Sequence, residues 1–233
     1  MGQSCCQGPH CCDSKQKHTL FDELVCHFPY AVFSLAVGFI ILSTLTVFIG
    51  SAQQACDAFY RLFHTCHFMH IVFAAAGTVL AFLRYSRSWW RAFVVGLIAP
   101  AIFCVLSDIV LPYIGGRMLG VPMRLHICFV CEYTSISIFL LVGILTGFAL
   151  KFHVDQAHGP SVFSGWLHFG HILLSSLASM FYLVSHGFFQ WDTVMGVVYI
   201  MLIIAVVVPC TLSDVVVPIL VAKMGKKDER DTF

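Results

Sequence analysis

Six apolar stretches, each about as long as the ~20 helical residues needed to cross a bilayer, leave this chain little choice of fold. They run Phe28–Ile49, Phe63–Leu83, Phe93–Ile114, Ile127–Leu150, Trp166–Ser185 and Val194–Ala222. None alternates as a barrel strand must, and a backbone in hydrocarbon has to satisfy its own hydrogen bonds, so each stretch is predicted to be a helix. With 59% hydrophobic and 11% charged residues, the sequence leaves no room for a separate soluble domain. The first stretch exceeds the ~7–15 residues of a signal-peptide core and reads as a retained span.

Lys and Arg in the short loops set the expected orientation. Six spans place both termini on one side, with Lys15, Lys17, Arg84, Arg87, Arg91, Lys151, Lys223, Lys226, Lys227 and Arg230. The opposite side holds Arg61, Arg117 and Arg124. That bias predicts cytoplasmic termini. The net charge of +1 gives no basic surface for nucleic acid, so the expected partners are the lipid bilayer and a small cation.

One phrase occurs twice. Cys104-Val105-Leu106-Ser107-Asp108-Ile109-Val110-Leu111-Pro112 returns as Cys210-Thr211-Leu212-Ser213-Asp214-Val215-Val216-Val217-Pro218, with six of nine positions identical. Phe63-His64-Thr65-Cys66-His67 is likewise echoed by Leu167-His168-Phe169-Gly170-His171. The chain reads as a duplicated unit, HxxH followed by CxxSDxxxP. Each unit holds three spans, an odd number, so the second copy enters the membrane inverted. The expected fold class is an all-α polytopic membrane protein, six transmembrane helices built as two inverted three-helix repeats. The predicted organisation is a Cys/His-containing cytoplasmic tail (1–27), a first repeat (28–120), a second repeat (121–222) and a charged tail (223–233).

The spans contain three acidic residues, Asp108, Glu132 and Asp214. A carboxylate at the membrane centre costs about 2.5–3.5 kcal/mol on insertion scales, so it needs a cation, a proton or a donor beside it. Pro112 and Pro218 lack the N–H that the carbonyls of Asp108 and Asp214 would receive in an α-helix. Each Ser-Asp pair, Ser107-Asp108 and Ser213-Asp214, is therefore expected to offer a carboxylate, a hydroxyl and a freed carbonyl near a helix end, a plausible cation site. The alternative is a kinked helix whose Asp is satisfied locally.

His64 and His67 share one helix face, as do His168 and His171, and Cys104 and Cys210 lie one turn before their Asp residues. Topology predicts an outer site from His64, His67, Cys104 and Asp108, and an inner site from His168, His171, Cys210 and Asp214. Two imidazoles, a carboxylate and a thiolate suit Zn²⁺ or another divalent transition metal. A competing reading makes the histidines wet interfacial residues. His70, Ser107, His126, Glu132 and Ser213 are expected along a substrate or proton pathway.

Cys5, Cys6, Cys11, Cys12 and His10 crowd the opening tail, as a metal-loading element, an acylation site or a segment without a task. A disulfide from Cys56 to Cys128 or Cys131 is a further option. Together these features point to a membrane transporter for a small cation, foremost a divalent transition metal. One alternative is a membrane-embedded zinc hydrolase, with His64, His67 and Asp108 as ligands and Glu132 as general base. A third is a b-type haem protein using His171 and His186.

Overall fold

In the computed structural model, residues 20–49, 51–156 and 162–231 are described, with side chains for 28–49, 51–128, 131–152 and 168–225. The Cys-rich opening segment lies outside them. The described residues are all-helical, without a strand, and six helices are long and apolar enough to cross a membrane. The spans are Leu20–Val47, Ala52–Tyr85, Trp89–Met118, Tyr133–Gln156, Val162–Ser185 and a sixth built from Met195–Thr211 onward to Asp231. A short helix, Cys128–Cys131, precedes the fourth span.

The second span starts eleven residues before the apolar stretch that announces it, at Ala52 rather than Phe63. Its first three turns carry Gln53, Gln54, Asp57 and Arg61, which hide a helix from a hydropathy reading. Ser51 caps it by accepting from the Gln54 N–H. His64 and His67 therefore sit more than three turns inside this helix, not at its start.

Apolar side chains fill the core and also cover the outside, while a band of polar residues is buried among the spans. Phe33, Ile40, Ile102, Leu145, Ile200 and Ile204 are exposed, while His67, His70, Thr78, Ser107, Asp108, Ser175 and Ser179 are buried. An apolar exterior, with the polar groups confined to the interior of the spans, is what a hydrocarbon solvent selects. This distribution fits an integral membrane protein.

The second span lies at the centre, packed along the third, fourth and fifth, and the first span packs on the fifth and sixth. The second span meets the fourth backbone to backbone at Gly143-x-x-x-Gly147. A Cβ on Gly143 would stand 2.6 Å from the Val72 carbonyl oxygen, and one on Gly147 would stand 2.9 Å from that of Ala76. Small residues one turn apart let two backbones touch where lipid offers no hydrophobic drive to associate. This contact holds the fourth span against the helix that carries His64, His67 and His70.

Candidate functional site

The repeated phrase has the same local form twice. Leu106–Val110 and Leu212–Val216 are single π-helical turns inside otherwise α-helical spans. Leu111 N–H bonds to Leu106 O and Val217 N–H to Leu212 O, each five residues back. In this register the next donor would be Pro112 or Pro218, which has no N–H. The carbonyls deprived of a partner are thus those of Ser107 and Ser213, not of Asp108 and Asp214 as an α-register predicts. Each is satisfied from another span: Ser179 Oγ donates to Ser107 O, and Thr78 Oγ1 donates to Ser213 O, both at 3.1 Å. The helices continue past both prolines, so the Asp residues lie in mid-span rather than at broken ends.

Asp108 is fully buried and surrounded by donors. Its Oδ2 accepts from His67 Nδ1 at 2.8 Å and from His70 Nδ1 at 2.7 Å. Its Oδ1 accepts from Ser107 Oγ at 2.7 Å and from Ser175 Oγ at 2.8 Å. An ionised carboxylate can only accept, so both imidazoles present Nδ1–H to it, and in the neutral ring Nε2 is a free lone pair.

The lone pair of His70 points to the second repeat. His70 Nε2 lies 3.2 Å from His171 Nε2, 3.7 Å from Cys210 Sγ and 3.8 Å from Cys104 Sγ. Behind His171, Asp214 Oδ2 stands 3.3 Å from Nδ1, a longer contact than those of Asp108. Gly77 makes room for this carboxylate, since a Cβ there would lie 3.1 Å from Asp214 Oδ2. The buried centre is thus a chain, Asp108–His70–His171–Asp214, flanked by two thiols.

The outer and inner sites expected from the sequence are therefore not separate. His67, His70, Cys104, Ser107 and Asp108 meet His171, Cys210, Ser213 and Asp214 at one locus. The helix faces were readable, but not the tilt that brings His70 onto His171. His70 has no counterpart in the second copy, yet it bridges the two halves. Asp108 and Asp214 stand behind the imidazoles of His70 and His171, each at an Nδ1, and so orient the opposite ring nitrogens toward each other.

His64 belongs to another group. Its Nδ1 donates to Tyr60 O at 2.9 Å, and its Nε2 faces Cys128 Sγ at 3.8 Å. The His126 ring lies 5.6 Å away, centroid to centroid. Outside the spans, burial holds His126 below the usual imidazole range, helped by His186, and burial pushes the Cys128 thiol up to about 12. His168 is half-buried, stacked 6.4 Å from His171 and edge-on to Tyr30 at 5.7 Å.

Glu132 is exposed and accepts from Ser135 Oγ at 3.3 Å. It stands with the His64 group rather than against Asp108, where a general base for zinc-bound water would be needed. The His171 ring packs edge-on to His70 at 4.6 Å, with its Nε2 turned to the buried centre, and His186 Nδ1 donates to Tyr182 O at 2.8 Å. Cys56, Cys128 and Cys131 are free thiols, without the disulfide that the sequence allowed.

Ser175, Ser179 and Thr78 escaped the sequence reading. A signal existed: His171, Ser175 and Ser179 recur every fourth residue and draw a polar line down the fifth span. No protein-family model matches the chain, and neither curated proteins nor solved structures give a match. The His/Cys/Asp groups that could hold a metal ion are defined by geometry alone.

Proposed function

We propose that the chain is a membrane transporter for a small cation, with a divalent transition metal such as Zn²⁺ as cargo. One observation carries this reading: the donor atoms of His70, His171 and Cys210 lie within 4.8 Å of one another, Cys104 Sγ stands 3.8 Å from His70 Nε2, and a carboxylate lies behind each imidazole. A tetrahedral ion with metal–nitrogen bonds of about 2.0–2.1 Å and metal–sulfur bonds of about 2.3 Å spaces its donors roughly 3.3–3.8 Å apart. Three of the six edges, those from His70 Nε2, are 3.2, 3.7 and 3.8 Å and fall close to that spacing. Mixed imidazole and thiolate donors suit Zn²⁺ and disfavour Mg²⁺ or Ca²⁺.

The two halves of the cluster come from the two sequence repeats. His70, Cys104 and Asp108 stand on one side; His171, Cys210 and Asp214 stand on the other. The fourth span packs on the second and the first on the fifth, the reciprocal arrangement expected of inverted repeats. A site at the seam of such repeats can open to either side as the halves rock. Cytoplasmic termini, from the Lys and Arg bias, complete the topology.

Binding by thiols and a hydrogen-bonded imidazole pair requires loss of protons, so cargo entry expels protons and cargo release takes them back. This makes proton exchange the natural coupling. The 3.2 Å contact between His70 and His171 also favours a second reading, in which Asp108–His70–His171–Asp214 conducts protons without a metal.

Reconstituted liposomes carrying a zinc dye and a pH dye separate the two readings. Zinc influx with counterflow of protons, abolished by His171→Gln, is expected. Proton flux without zinc would favour the second reading, and no flux of either ion would overturn both.

A further inference from the structure

We infer that His64, His126 and Cys128 form a second metal-binding site, which takes a borderline divalent cation such as Zn²⁺ or Co²⁺. The three donors come from the second span, the loop 119–127 and the short helix Cys128–Cys131, so no single helix repeat explains their meeting. Their ligand atoms lie within 4.8 Å of one another. The orientation of each is that of a ligand. His64 donates Nδ1–H to the Tyr60 carbonyl, while its ring packs on Tyr60 at 4.3 Å and on Phe63 at 4.8 Å. That fixes the tautomer and aims the Nε2 lone pair at Cys128 Sγ.

His126 Nε2 is shielded from solvent and has no hydrogen-bond partner among the described residues. A wet interfacial histidine would turn that nitrogen to water. Cys131 and Glu132 are exposed at the same end and leave the remaining coordination position to a water or an exchangeable donor. Three protein ligands with one open position are what a site that binds and hands on an ion needs.

Its place in the fold gives it a task under the transport reading. His64, His67 and His70 are successive turns of one helix, so the site lies roughly 9 Å along the second span from the central cluster. His67, bound to Asp108, stands between. The site would capture cargo at one membrane face. This role rests on the transport reading, whereas binding by the three residues does not.

Co²⁺ absorption of the full-length chain tests the site, with Cys5, Cys6, Cys11 and Cys12 changed to Ser throughout. In a Cys104→Ser/Cys210→Ser background, one equivalent of Co²⁺ should give a thiolate charge-transfer band and tetrahedral d–d bands. Cys128→Ser should abolish the charge-transfer band, and His126→Gln should weaken binding at least tenfold. Absence of the band, or its survival in Cys128→Ser, would overturn the inference. If Cys128→Ser fails to elute as folded protein, cobalt-edge X-ray absorption of the Cys104→Ser/Cys210→Ser protein decides: a shell with one sulfur and imidazole nitrogens is expected, and a shell without sulfur overturns the site. The converse background, Cys128→Ser with Cys104 and Cys210 intact, reports the central cluster alone. Failure of one reading is therefore visible independently of the other.

Discussion

Asp108→Asn tests whether this carboxylate is a ligand or the support of one. Asn keeps the shape. Its amide oxygen can still accept from His67 and His70, and its NH₂ would meet Ser107 and Ser175 hydroxyls, which can rotate to accept. The fold should therefore survive, while His70 loses the negative charge that orients it and raises its basicity. Removing a carboxylate that holds a ligating imidazole weakens metal binding about 10–100-fold, or roughly 1.4–2.8 kcal/mol. A direct ligand is worth more. If the ~10–16 kcal/mol of a four-ligand zinc site is shared evenly, each ligand holds roughly 2.5–4 kcal/mol, about 60- to 700-fold in affinity. Competition with a chromophoric chelator, on purified protein with Cys128→Ser and the tail cysteines replaced, reads both effects. The expected order is wild type, then Asp108→Asn, then His171→Gln or Cys210→Ser. An Asp108→Asn loss as large as that of His171→Gln would make Asp108 a direct ligand. A loss under about threefold, below the range for a carboxylate that holds a ligating imidazole, would place the ion elsewhere.

Other outcomes follow from the packing. Gly143→Leu should force the second and fourth spans apart and cost at least the ~1–3 kcal/mol typical of overpacking, read by thermal unfolding in detergent; unchanged stability would refute the close contact. Ser179→Ala and Thr78→Val each strand a buried carbonyl, at about 1–3 kcal/mol, whereas Thr78→Ser should be nearly neutral. Equal stabilities in the same unfolding assay would remove the π-turn account. His126 titrates near ~6.5 when unfolded and lower when folded, because it is buried. Its contribution to stability is thus complete above that value and is lost as pH falls below it. Hydrogen exchange over residues 121–127, corrected for intrinsic rates, should quicken between pH 7 and 5 in the wild type and not in His126→Gln.

How far the molecule was legible in its sequence follows from which forces act locally. Hydropathy places the six spans because burial in lipid is settled within each helix. It misses the first turns of the second span, where Gln53, Asp57 and Arg61 interrupt the apolar run. The duplicated phrase correctly marks two matching elements, and helix periodicity puts His67 and His70 on one face with Asp108 within reach. Periodicity says nothing about crossing angles, which decide that His70 meets His171 and that the two expected sites fuse. The prolines announced a lost hydrogen bond, but whether the helix breaks or shifts to a π-turn depends on Ser179 and Thr78 in other spans. Gly143-x-x-x-Gly147 was a readable contact motif whose partner helix was not.

Anomalous diffraction at the zinc edge from Zn²⁺-loaded protein would locate the ion itself. A peak is expected within bonding distance of His70 Nε2, His171 Nε2 and the sulfurs of Cys104 and Cys210, with Asp108 and Asp214 behind the imidazoles. A loaded crystal with no peak between His70 and His171, or with the ion bound to Asp108 and both imidazoles apart, would contradict the proposed site.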